Sequence, residues 1–314
     1  MELLTTSVAI ALNFLKRSVP GLLIGIFIAE LLIEKGIVEK ISFIGKPFVK
    51  LSNLPGECAL AFATAFLNTR AANAMLVDFY RESKIGKREL YIASLMNAFP
   101  AMVRHWNSLI PVLLATLGKL GLLYFGILVF IGLIQTTVFA VAGKILIKNP
   151  REISNSQKRM RKKKPFKDAL RNALTKTKKT SLQILKTMII VTYITALLIA
   201  VGFFNHLSDL VRSFARSLPF SPEELSVALS AMAGSIATYT LGANLLKAGL
   251  ISEKALIRAL LLGSIFANIT FLRVLIPYYV GLYGPGDGIK LMLISMATRS
   301  VIILCVIAVM GVVL

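Results

Sequence analysis

Long apolar runs, interrupted at recurring places by Pro, Gly and short polar clusters, set the pattern of this chain. A bilayer core accommodates about 20 mostly apolar residues in helical form, and several runs reach that length. An apolar helix is expected over 19–33, with Lys16 and Arg17 placed to snorkel. The stretch 37–51 mixes Lys with Ile, Phe and Val, is too short and charged to span, and reads as an interfacial amphipathic segment. Two readings of 56–80 compete: one spanning helix, or two half-length pieces, 56–67 and 71–80, meeting at Asn68-Thr69-Arg70. The hairpin is favoured, because an Arg at the bilayer centre is costly unless it faces protein or water. The run 90–117 carries Pro100 and Pro111 on either side of Arg104-His105-Trp106-Asn107, which predicts a kinked or broken helix. The run 120–142 reads as an ordinary span.

From Ser181 the pattern restarts, with a span over 188–203, a shorter interfacial segment over 206–218, a second hairpin with its tip near Gly234-Ser235, a second long helix bearing Asn268, Arg273 and Pro277, and a closing span over 291–313. The restart is a repeat. Pro55 and Glu57 match Pro222 and Glu224 at a displacement of 167, and Leu90, Ile110-Pro111 and Gly118 match Leu256, Ile276-Pro277 and Gly284 at 166. The expected organisation is a first membrane repeat over 1–143 with its core at 55–118, a basic cytoplasmic linker over 144–180, and a second repeat over 181–314 with its core at 222–284. If the hairpins re-enter, each repeat has an odd number of spans and the two repeats are inverted; if they span, the repeats are parallel. The loops 34–55 and 81–89 hold eight Lys and Arg against five in their counterparts, which suits inversion under the positive-inside rule.

Composition excludes a soluble protein. Hydrophobic residues make up 56% of the 314 and charged residues only 16%, where a soluble surface needs about a quarter charged. The formal net charge of +21 does not point to nucleic acid, because 144–179 alone holds 14 Lys and Arg. Such a run beside membrane helices marks a cytoplasmic loop near anionic head groups. The first residues have no small-residue cleavage site after the apolar run and do not read as a signal peptide. The fold class is therefore an all-α polytopic protein of the cell membrane, with two inverted repeats, each holding transmembrane helices, a re-entrant hairpin and a broken helix.

The run FLNTRAANAMLVDFYRESKIGKRELYIASLMNAFPAM, 66–102, resembles the nucleoside-recognition, or Gate, domain of concentrative nucleoside transporters, bacterial ferrous-iron transporters and spore-maturation membrane proteins. Asn68, Thr69, Arg70 and Ala71 stand at the hairpin tip of that pattern, Phe79-Tyr80 ends its arm, and Arg88-Glu89-Leu90 starts the next helix. The resemblance implies a membrane transporter-like architecture or, from the spore-maturation side, a non-transporting scaffold or assembly partner. It does not carry nucleoside specificity over, because Arg70 stands where nucleoside transporters place a carboxylate and amides. No GTPase domain or phosphate loop accompanies it.

The few ionisable residues at membrane depth, Arg70, Arg104, His105, Arg273 and Arg299, with Asp78 nearer an end, are mostly cationic. Intramembrane charge is expensive and defaults to function, and hairpin tips add helix N-termini that favour anions. The expected substrate is a small polar, anionic solute, nucleoside-like, nucleotide-like or another organic anion, read chiefly by Arg70 with Arg104. The candidate contacts are Asn68, Thr69, Arg70, Asn73, Arg104, His105 and Asn107 in the first repeat, and Ser235, Thr238, Asn268 and Arg273 in the second. The alternative for the arginines is a structural staple to Asp78 or to carbonyls freed by Pro100; for the asparagines, Asn97 included, it is interhelical hydrogen bonding. Trp106 reads as packing and 284–288 as a turn. No His/Cys/Asp/Glu cluster has metal spacing, so neither an enzyme nor a cofactor is expected. A coupling ion and a homo-oligomer are both compatible with the pattern.

Overall fold

The computed structural model describes residues 2–34, 45–147, 165–215 and 217–313, and every regular element among them is helical. Helix α1 is Glu2–Glu34, α2 Lys46–Leu51, α3 Gly56–Ala65, α4 Thr69–Arg81, α5 Lys87–Met96, α6 Ala98–Arg104, α7 Trp106–Leu117 and α8 Lys119–Leu146. After the linker come α9 Phe166–Ala200, α10 Phe203–Ala215, α11 Pro222–Ser230, α12 Ser235–Lys247, α13 Glu253–Tyr283 and α14 Pro285–Val313. Residues 37–44 of the expected amphipathic segment and 148–164 of the expected basic linker lie outside the described residues. The basic residues 166–179 belong to α9.

The stretch 56–80 is two helices, not one. Helix α3 ends at Ala65, and Asn68 restarts the chain as an N-cap, its Oδ1 accepting from the N–H groups of Arg70 and Ala71 at 3.0 and 3.2 Å. The short helices then pack on each other through an Ala-rich face. The break at Asn97 has an equally local cause. Pro100 lacks the N–H that would meet the Met96 carbonyl one turn back. The hydroxyl of Thr136 on α8 donates to that carbonyl at 2.7 Å, and accepts the Phe99 N–H at 3.0 Å. A single side chain thus satisfies the carbonyl freed by the proline and an N–H left open in the first turn of α6.

The second long helix was expected to break as the first does. It runs unbroken from Glu253 to Tyr283 with Pro277 inside it. One missing donor is tolerated here because α9, α11 and α14 pack along the length of the helix and hold its two halves in line.

Among the described residues three helices, α8, α13 and α14, are long and apolar enough to cross a membrane. Their outward faces carry Leu123, Phe130, Val138, Leu293, Val301 and Leu304, all exposed, as a lipid-facing surface requires. Their inward faces join two buried clusters. One is built from α3, α4 and α5 with Phe139, Leu282 and Leu291; the other from α11, α12 and the first half of α13 with Leu113, Tyr124, Ile131 and Ile303. Each long helix therefore contributes one half to each core, and the region between the cores lies at mid-span.

The ends of the bundle are tied by polar contacts. Lys87 Nζ and the Tyr91 hydroxyl, at the start of α5, meet Asp287 Oδ1 in the first turn of α14 at 2.8 and 2.7 Å. At that same end Asn53 Nδ2 donates to the carbonyls of Lys144 and Ile147, where α8 finishes. Glu253 and Lys254, which open α13, lie in one groove with Leu120 and Met310, at the opposite end of α8 and α14. So α5 and α13 start at opposite ends.

Candidate functional site

A cavity of about 760 Å³ opens at mid-span, between the break in the α5–α7 run, the loop joining α11 to α12, and the inward faces of α8, α13 and α14. Its depth follows from helix arithmetic. Asn268 is fifteen residues from each end of α13 and Arg299 fourteen from each end of α14, which at the 1.5 Å rise of an α-helix places them about 21–23 Å from the helix ends.

Five of the sequence candidates, His105, Ser235, Thr238, Asn268 and Arg273, line this cavity. His105 sits at the joint between α6 and α7, where the backbone leaves helical bonding for one residue. Ser235 and Thr238 are presented by the loop at Gly234, whose φ of +147° only glycine adopts freely. Thr238 returns its hydroxyl to the Gly234 carbonyl at 3.0 Å. Asn268 Nδ2 reaches the Ser300 hydroxyl at 3.4 Å, and Arg273 Nε donates to the Thr270 carbonyl one turn back at 2.8 Å.

The other candidates are engaged elsewhere. Asn68 is the cap described above, and Thr69 donates to the Ala65 carbonyl at 3.3 Å. Arg70 lies over the ring of Tyr278. Arg104 Nε donates to the Leu67 carbonyl at 3.0 Å, so it braces the first loop. Asn73 stands in a chain of side chains: Asn97 Nδ2 donates to Asn73 Oδ1 at 2.8 Å, and Asn73 Nδ2 to the Tyr278 hydroxyl at 3.0 Å. Arg70, Asn73 and Arg104 do not line the cavity. Asp78 pairs with Arg81 at 3.7 Å rather than with either arginine. The Asn107 side chain lies outside the described residues. Trp106, expected to pack, is 60% exposed.

Three residues enter that were not in the candidate set. Arg299 lines the cavity, and none of the ion pairs among the described residues includes it. Gln135 and Asn97 line it too, each with a buried side-chain oxygen that has no partner among the described residues. Arg299 was legible as a charge at membrane depth. Gln135 stands alone as an amide in the run GILVFIGLIQ, and a lone amide in so apolar a span was the signal that could have found it.

Outside the apolar spans, Lys87 is held above the usual lysine range, first by its hydrogen bond to Asp287. Among the described residues no group of three His, Cys, Asp or Glu could hold a metal ion.

The fold and the cavity define a helical membrane protein with a largely apolar chamber at mid-span that holds a few polar and cationic side chains. No protein-family model matches the chain, and no solved structure matches it. It belongs to the family of the uncharacterized protein MJ1556 of Methanocaldococcus jannaschii, with which it is 45% identical over 304 residues that cover 96% of each chain. Two further proteins of that organism are similar: MJ0880, 30% identical over 87% of this chain and 89% of that one, and MJ0871, 24% identical over 90% and 89%.

Proposed function

We propose that this chain is a multi-pass carrier of the cell membrane that binds and moves a small anionic solute through the mid-span cavity. The observation that carries the reading is Arg299. A guanidinium at the centre of a spanning helix is expensive unless something neutral to its cost faces it. Here it faces a chamber large enough for a small organic ligand, and Arg273 and His105 line the same chamber. The anion-reading role expected of Arg70 and Arg104 thereby passes to Arg299 and Arg273.

The architecture proposed with it is two inverted Gate-like repeats. Supporting that are the paired short helices α3–α4 and α11–α12, each followed by a long helical run. Gly118 and Gly284, displaced by 166, both make left-handed turns into a spanning helix, with φ of +59° and +87°. The opposite starting ends of α5 and α13 also favour inversion over parallel repeats.

Purified protein in liposomes, screened for uptake of carboxylates and nucleotides, tests the reading. The wild type is expected to take up an anion and Arg299→Gln to lose both uptake and binding. Without the ligand, that variant is expected to melt no lower than the wild type, since it removes a half-buried charge that has no ion-pair partner among the described residues. Destabilisation of the ligand-free variant by about 3–5 kcal/mol would identify Arg299 as one half of a structural pair, and absence of uptake and binding in the wild type would dismiss the carrier.

A further inference from the structure

We propose that the solute is amphiphilic, one carboxylate on an apolar body the size of a medium chain or an aromatic ring; the inference rests on the anion reading above. The cavity lining holds three basic side chains, His105, Arg273 and Arg299, and no Asp, Glu or Lys. Arg299 shares its depth with Asn268, whose Nδ2 reaches the neighbouring Ser300 hydroxyl at 3.4 Å. Arg273 belongs to nearly the same level. Its Nε bonds the Thr270 carbonyl at 2.8 Å, which draws the side chain back one turn toward Asn268.

From that level toward the turn at Gly284 the accessible lining becomes apolar. Phe271, Val274 and Leu275 follow Asn268 on α13 at three, six and seven residues, about 5, 9 and 11 Å further along at the 1.5 Å rise of an α-helix. This spacing sets them on one face. All three line the cavity and are at least partly exposed, Phe271 by 54%. Met296, also partly exposed, adds to the wall from α14, one turn nearer the same end than Arg299. Two hydroxyls of the lining toward that end are engaged within the protein: Ser94 accepts from Tyr283 at 2.9 Å and Ser295 from Gln135 at 3.3 Å. A carboxylate held at the level of the two arginines leaves its substituent to lie along this wall. A nucleotide or a polycarboxylate would set hydroxyls or charge there, and a polar group desolvated without a partner weakens binding. A methylene in the same place leaves water and gains about fourfold in affinity.

Titration calorimetry on the full-length protein in phosphatidylcholine nanodiscs, with empty discs as the blank, tests this. The probes are butyrate, hexanoate, octanoate and benzoate, with citrate and adenosine monophosphate as polar rivals and 1-octanol as the uncharged analogue. Affinity is expected to rise on the order of tenfold for each two carbons added, and octanoate to bind tighter than either polar rival. Arg299→Gln is expected to weaken octanoate at least tenfold. Phe271→Ser, at an exposed position, is expected to cut the octanoate-to-butyrate ratio several-fold, and Leu275→Ser likewise. A flat series, or a polar rival that binds tighter than octanoate, overturns the inference and leaves the anion reading standing, provided Arg299→Gln abolishes the binding seen. A rise along the series that Arg299→Gln does not weaken, or 1-octanol binding as tightly as octanoate, means partition without the cation and overturns it too. A ratio that survives both serine variants overturns the placement along this wall. If no anion binds or is taken up, the anion reading falls and the inference falls with it.

Discussion

The guanidinium carbon of Arg70 lies 5.5 Å from the centre of the Tyr278 ring, and the Tyr278 hydroxyl accepts a hydrogen bond from Asn73, one turn along from Arg70. The first residues of α4 are thereby fastened to α13 by a stacked cation and an amide. A cation–π contact of this kind contributes about 0.5–2 kcal/mol. Arg70→Gln is expected to lower the melting temperature by a few degrees and to leave solute binding unchanged, since the side chain stands outside the cavity. Thermal unfolding and calorimetry on one preparation check both halves. Lost binding with unchanged melting would return the solute-reading role to this residue.

Residues that interrupt helices were readable in the sequence, because Pro and Gly act on their own turn. Pro100 broke its helix, and Gly118 and Gly284 made their turns. Pro277 did not break α13, because what decides there is packing from helices far away in sequence. Polar residues were readable as membrane-depth features, but the direction each side chain takes was not. Asn68 turned to its own helix start, Arg104 to the carbonyl of Leu67, and Arg70 to an aromatic ring more than two hundred residues away. The charge at position 299 needed the fold to reveal that no acidic side chain among the described residues answers it.

Gly288 and Gly286 share the first turn of α14 but meet different surroundings. A Cβ at Gly288 would collide with the backbone carbonyl of Tyr279, whereas one at Gly286 meets nothing within 4 Å. Backbone cannot swing aside as a side-chain end can, so the turn between α13 and α14 would have to open. Gly288→Ala is expected to destabilise by about 1–3 kcal/mol, as overpacking does, and Gly286→Ala to be neutral. Melting temperatures in detergent measure the difference; equal values would mean that α13 and α14 do not approach as closely as described.

Lys87 and Asp287 tie the starts of α5 and α14, and the tie is sensitive to pH in one direction. The folded state raises the Lys87 pKa, chiefly through the hydrogen bond to Asp287. A raised folded-state value means the contribution is complete below the ordinary lysine pKa, about 10.4, and is lost as pH rises through the folded value. The wild type is expected to lose melting temperature more steeply than Lys87→Met above about pH 10.5, with parallel curves between pH 7 and 9. The effect is small, since Lys87 is 56% exposed. Parallel curves across the whole range would place no weight on this pair.

Ser83 and Ser252 report the orientation of the two halves. Both are exposed, in the loops between α4 and α5 and between α12 and α13. Asp287 anchors the start of α5 to the start of α14, while the start of α13 lies beside Leu120, at the far end of the spanning helix α8. The loops on which Ser83 and Ser252 sit therefore belong to opposite ends of the bundle, and a bilayer normal to the long helices separates them. Native thiols constrain the design: Cys58 is buried and Cys305 exposed, so Cys305→Ala supplies the background. Single cysteines at 83 and 252 are then treated in intact cells with a membrane-impermeant maleimide, and again after permeabilisation. One position is expected to label in both conditions and the other only after permeabilisation. From the excess of Lys and Arg in the first set of loops, position 83 is the one expected on the cytoplasmic side. Labelling of both in intact cells, or of neither, would mean that the two halves are parallel, and the carrier built on inverted repeats would have to be abandoned.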